Sequence, residues 1–103
     1  MSELVRAKRG MVVAPHHLAA EAGRDVLAEG GNAIEAMVAA AAAIAVAYPH
    51  MNAIGGDNFW LISRKGKPPV GIDACGHAAA MASRDFYAEH GCNAIPARGP
   101  LAA

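Results

Sequence analysis

The sequence predicts a mixed α/β fold, and three patterns predict it. A short β-branched run, Gly10-Met11-Val12-Val13-Ala14, is closed by Pro15. Two stretches of helical periodicity follow, separated by Gly30-Gly31. An apolar run, Phe59–Ile62, and a return strand, Val70–Asp73, then flank the polar turn Arg64-Lys65-Gly66-Lys67. With a last helix after Ser83, the order is strand, helix, helix, hairpin, helix.

Each element has a local cause. Residues 10–14 are apolar and β-branched, the signature of a buried strand. From His16 to Glu29, Leu18, Ala19, Ala22 and Val26 recur at helical spacing, while Glu21, Arg24, Asp25 and Glu29 fall mostly on the other side. Gly30-Gly31 ends this helix, since glycine enters the left-handed cap conformation without steric cost. Asn32 starts the next one, and Glu35 stands three residues on, as in a capping box. From Ala33 to Ala47 every residue but Glu35 is apolar, which predicts a helix buried all round, and Pro49 ends it. Phe59-Trp60-Leu61-Ile62 is apolar on both faces and reads as a fully buried strand. Pro68 and Pro69 delay the return strand Val70–Asp73. Ser83 caps a third helix that runs to about His90 and is closed by Gly91.

Composition narrows the function classes. The chain has 103 residues, 54% of them hydrophobic and 17% charged, with a formal net charge of zero. Nothing in that balance steers nucleic acid or an acidic membrane surface. The basic cluster Arg6, Lys8, Arg9 reads as a solvated arm. Cys75 and Cys92 have neither metal-ligand spacing nor the number needed for a disulfide framework, so free thiols are expected. His16, His17 and His50 do not make a zinc pattern, and neither metal nor cofactor is expected. The run Ala36–Tyr48 falls short of the roughly 20 residues a bilayer span needs. Met1–Arg9 is polar, without the apolar core of a signal peptide, so a cytoplasmic location is expected. The stop at Leu101-Ala102-Ala103, straight after a Gly-Pro, reads as a cut in a longer protein.

Several motifs in order carry a resemblance. Gly10-Met11-Val12-Val13-Ala14, Glu21-Ala22-Gly23, Leu27-Ala28-Glu29-Gly30-Gly31-Asn32-Ala33-Ile34-Glu35-Ala36, Pro49-His50 and Ile54-Gly55-Gly56-Asp57-Asn58-Phe59 resemble the start of the γ-glutamyltransferase family. The resemblance implies an N-terminal fragment of an αββα N-terminal-nucleophile hydrolase sandwich, with residues 1–103 forming part of the large subunit. Its partners would be the remainder of that subunit and a small subunit bearing a threonine. That threonine, freed by self-cleavage, attacks a γ-glutamyl amide of the glutathione type, and its own amine serves as base. The acyl group then passes to water or an amino acid. No threonine occurs in this sequence, so the chain alone is expected to be inactive.

One departure from the family pattern concerns substrate. Family members carry an arginine after the hairpin, in a D-x-R-E context, that pairs with the substrate α-carboxylate through its bidentate fork. Here Asp73-Ala74-Cys75-Gly76-His77 stands, which puts Cys75 at that position. Cysteine has neither the charge nor the fork. Cys75, the neighbouring His77, and Asp57 in the glycine loop are therefore the candidate substrate-binding residues, and no catalytic residue is assigned. Cys75 and His77, two apart, would share a face if the strand continued. Arg84 and Arg98 are candidates to restore the lost charge. The Gly55-Gly56 pair lacks a phosphate-loop pattern, and is read as a close backbone approach or a positive-φ turn.

Three functional readings follow. The first is a piece of a γ-glutamyl amide hydrolase or transferase. The second is a divergent amidase-like member with a different substrate. The third belongs to another class: a non-catalytic module that self-associates through its alanine-rich helix and open strand edges.

Overall fold

The computed structural model describes residues 4–102, and the chain divides after Gly56 into two compact units. The first holds two helices, α1 (His17–Ala28) and α2 (Ala33–Ala47). The second holds a hairpin of β1 (Phe59–Ile62) and β2 (Val70–Asp73), followed by α3 (Arg84–Glu89).

In the first unit the two helices pack against each other. His16 caps α1, its Nδ1 accepting from the Leu18 N–H at 3.2 Å. Gly30 takes a φ of +95° where α1 stops, as the sequence predicts. The Asn32 cap is complete. Its Oδ1 accepts from the N–H groups of Ile34 at 2.9 Å and Glu35 at 3.1 Å, and Glu35 Oε2 accepts from the Asn32 N–H at 2.7 Å. This capping box fixes the start of α2 at the residue expected.

The helix crossing is built of small side chains. Ala19 and Gly23 are buried on α1, and Ala36 and Ala40 on α2, each pair one turn apart. A Cβ at Gly23 would lie 2.9 Å from the Ala36 carbonyl oxygen and 2.9 Å from Val12 Cγ1. The expected face of α1 is thus corrected at its centre. Leu18 is exposed, and the contact runs through Ala19 and Gly23 because only a missing side chain admits the backbone of α2.

Three expectations about burial do not hold. Helix α2 is not enclosed: Ile34, Met37, Val38 and Val46 are exposed, Val46 by 79%. One neighbouring helix covers one stripe, and α1 is the only element packed on it among the described residues. Residues 10–14 form no strand, because the only ladder among the described residues is β1 with β2. Even so, Val12 and Ala14 are half-buried while Met11 and Val13 are exposed, the alternation of an extended segment laid on one surface. Finally, β1 is half-covered at most. Trp60 and Ile62 turn inward, whereas Phe59 is 67% and Leu61 81% exposed.

The hairpin is antiparallel, with Phe59 opposite Asp73, Trp60 opposite Ile72, Leu61 opposite Gly71 and Ile62 opposite Val70. Its turn closes with the Lys67 N–H on the Arg64 carbonyl at 3.1 Å and Gly66 at φ +73°. Both prolines sit in the connection, where no ladder hydrogen bond is asked of them. The Ser83 Oγ accepts from the Phe86 N–H at 3.2 Å and starts α3, and Gly91 follows its end at φ +71°. Tyr87 is buried on α3, with Phe86 meeting it edge to face at a centroid distance of 5.4 Å. No helix of the described residues is long and apolar enough to cross a membrane.

Candidate substrate-contacting loop after β2

Strand β2 delivers its last residue, Asp73, into a loop that continues through His77. The strand pairing persists one step further, with the Ala74 N–H donating to the Asn58 carbonyl at 2.9 Å. Beyond it the loop is held by a side chain. The Asp73 Oδ1 accepts from the Cys75 N–H at 3.1 Å, a turn in which aspartate substitutes for a backbone carbonyl. Gly76 follows at φ +78°. An open hollow of about 510 Å³ is lined by Asp73, Ala74, Cys75, Gly76 and His77.

Two of the three candidate residues therefore come together. Cys75 and His77 line the same hollow, although a shared strand face is not the reason. Strand β2 ends at Asp73, and the two side chains reach the hollow from the irregular loop beyond it, on either side of the positive-φ Gly76. Asp57 does not line the hollow, but its charge reaches Cys75. Neither Arg84 nor Arg98 lines it.

The electrostatics of the Cys75 end are acidic. A hydrogen bond to the Asp73 carboxylate is the main influence pushing the Cys75 thiol above its ordinary range. Slight desolvation and the Asp57 charge act in the same direction. The reciprocal effect holds Asp73 below the usual carboxylate range, first through the Cys75 side chain and then through its backbone N–H. The thiol also points at the Gly76 carbonyl, with Sγ 3.6 Å from the oxygen. A thiol with a raised pKa stays protonated near neutrality, so Cys75 is a weak hydrogen-bond donor and a poor nucleophile. His77 is exposed and makes no hydrogen bond or ion pair among the described residues. No cluster of three or more histidine, cysteine, aspartate or glutamate side chains suited to a metal ion occurs among the described residues.

Asp73 is the residue that sequence reasoning misses. Its signal is present all the same: an aspartate side chain readily accepts from the backbone N–H two residues on, here that of Cys75. Conversely, the Gly55-Gly56 pair does not meet its expected explanation. Neither glycine has a positive φ, and a Cβ on Gly55 would meet nothing within 4 Å.

A capped helix pair of small residues and a hairpin that hands an acid-anchored loop to solvent define parts of an α/β scaffold. Similarity to known proteins gives that scaffold its family. The family model described as gamma-glutamyltranspeptidase matches residues 19–103, and the chain belongs to this family. Over 91% of its length it is 60% identical to an oxamate amidohydrolase proenzyme of Klebsiella pneumoniae, covering 17% of that protein. It is 43% identical to a glutathione hydrolase proenzyme of Escherichia coli over 81% of this chain and 14% of that protein. Among solved structures, a γ-glutamyltranspeptidase of Helicobacter pylori aligns with a TM-score of 0.75 at 36% identity, over 82% of this chain and 24% of that one. The fold class is thus that of part of an N-terminal-nucleophile hydrolase, and the chain spans less than a fifth of the length of these curated relatives.

Proposed function

We propose that residues 1–103 form part of the large subunit of a self-processing amide hydrolase and supply scaffold and a substrate-contacting loop. The catalytic hydroxyl comes from a threonine outside this sequence. The relatives named as proenzymes support that reading, and so does the complete lack of threonine here. In such chemistry the threonine Oγ attacks the amide carbon, its own amine takes the proton, and the amine leaving group departs before water releases the acid. The remaining large subunit and the threonine-bearing small subunit are the partners this requires.

The substrate reading we favour is a small amide acid of the oxamate kind. The observation that carries it is the Asp73–His77 loop, in which a neutral thiol beside two carboxylates stands where the family resemblance calls for arginine. Such a loop offers no bidentate grip on an α-carboxylate. The 60% identity to an oxamate amidohydrolase points the same way. A second reading, hydrolysis of γ-glutamyl amides or transfer of their acyl group, is favoured by the glutathione hydrolase relatives. The two separate in one assay on the processed full-length product. Ammonia release from oxamate without p-nitroaniline release from γ-glutamyl-p-nitroanilide supports the first, and the converse supports the second. Turnover of either compound by the purified 103-residue chain would overturn the assignment of the nucleophile to another segment.

A further inference from the structure

We infer that His16 makes the start of α1 a pH-responsive joint: its neutral imidazole caps the helix, and its protonated form releases the first turn. The inference stands apart from the substrate reading above. His16 holds the N-cap position with extended backbone, and its Nδ1 accepts from the Leu18 N–H at 3.2 Å. Serine, threonine, asparagine and aspartate are the usual caps, and none of them changes charge near neutrality. An imidazole does. Accepting through Nδ1 requires a bare lone pair there, with the one proton on Nε2, whereas imidazolium has two donors and no acceptor. Protonation therefore sets donor against donor and places positive charge at the positive end of the helix dipole.

The surroundings supply no countercharge among the described residues. The first turn of α1 holds no acid, and Glu21 is the nearest along the helix. His17 stacks on His16 at a centroid distance of 4.6 Å and can add only a like charge. The preceding segment has no charged side chain from Gly10 to Pro15, and Lys8 and Arg9 before it are cations. Helix α2, packed on α1, has Glu35 as its one charged residue, and that carboxylate accepts from the Asn32 N–H. Past α2, the rings of Tyr48 and His50 lie 4.2 Å apart. Forming the capped turn thus releases a proton, so its stability is full on the alkaline side of the histidine range and fades as pH falls. The turn matters to packing because it carries Ala19, one of the two buried α1 residues at the helix crossing. His90 is the opposite case in the second unit. Its Nδ1 lies 2.8 Å from the Phe86 carbonyl oxygen at the end of α3. A carbonyl only accepts, so this nitrogen donates, and protonation keeps the bond.

The test follows hydrogen exchange in the processed full-length protein at the Ala19 and Ala20 amides, which donate to the His16 carbonyl at 3.1 and 3.3 Å. Protection factors cancel the intrinsic pH dependence of exchange. They are expected to fall about fivefold from about pH 8 to about pH 5, the typical worth of one N-cap bond. His16→Asn keeps a cap that does not titrate, and its factors are expected to change by less than about twofold. His17→Asn is expected to keep the fall. The His90 amide, on the Phe86 carbonyl at 3.2 Å, is expected to lose no protection. Unchanged factors in the unsubstituted protein, or an equal fall in His16→Asn, overturn the inference. So does a fall abolished by His17→Asn, which assigns the effect to that neighbour, or one shared by the His90 amide, which marks a global loosening.

Discussion

Replacing Gly23 with alanine sets two effects of similar size against each other. Alanine is favoured over glycine inside a helix by about 1 kcal/mol. Gly23 lies mid-way along α1 and has no positive φ, so that gain is available to it. Against it stands the space. The new Cβ would sit 2.9 Å from the Ala36 carbonyl oxygen, which is backbone, and 2.9 Å and 3.3 Å from the two Val12 methyls. Overpacking of this kind costs about 1–3 kcal/mol, and the backbone oxygen cannot rotate away. The net is a destabilisation of about 1 kcal/mol, or a Tm lower by about 4–8 °C for a domain of this size. Gly23→Val, with two further methyls and a β-branch, costs more. Urea unfolding of the 103-residue chain, followed by far-UV circular dichroism, reads both. A second substitution localises the cause: in a Val12→Ala background the methyl contacts are gone, and Gly23→Ala is expected to cost at least about 0.5 kcal/mol less. A Gly23→Ala variant stabilised by the full propensity gain, in either background, would refute the reading of the helix crossing as a backbone contact.

Three further outcomes follow from the local geometry. Asn32→Ala removes the acceptor for two amide donors at the start of α2 and is expected to cost about 1 kcal/mol, with Glu35→Ala less than additive because the two share one box; equal and additive losses in denaturant titration would contradict it. Cys75 is expected to react slowly with iodoacetamide near neutral pH and faster as pH rises, since its thiol is pushed up by Asp73, and Asp73→Asn is expected to move that rate profile to lower pH; a profile unmoved by the substitution counts against the pairing. Gly55→Ala is expected to change stability by less than about 0.5 kcal/mol, whereas Gly30→Ala, at φ +95°, is expected to cost about 1–2 kcal/mol in backbone strain; thermal melts of the two variants compare them directly. The sign of the Asp73 effect is fixed: a carboxylate held low in the folded chain favours folding above its unfolded pKa, and that contribution fades as pH falls through the folded value.

Elements governed by near neighbours along the chain are legible in the sequence. The Asn32–Glu35 box, the Gly30 stop and the Ser83 cap each depend on residues a few positions apart, and each appears where the sequence places it. Burial is less legible because it depends on what lies across from an element. The uniform apolarity of α2 predicts enclosure, yet a single small-residue stripe is all that α1 covers. Strand pairing for residues 10–14 needs a second backbone, which no local pattern can reveal. At the candidate site, motif order brings Cys75, His77 and Asp57 forward. The anchoring by Asp73 escapes that reading because it is a local bond from a side-chain oxygen to the backbone N–H two residues on, which the family pattern does not mark.

The two-stranded sheet has a consequence for how this segment would look to deuterium. Each strand has one inner edge paired and one outer edge whose amides have no strand to donate to among the described residues. Half of the backbone N–H groups from Phe59 to Ile62 and from Val70 to Asp73 should therefore exchange almost as freely as in a loop, and the inner half only somewhat more slowly, since an isolated hairpin opens readily. Any molecule that lays a further strand along either side would turn those fast amides into slow ones. The protection of these few hydrogens would thus report, residue by residue, whether this hairpin has found its neighbours.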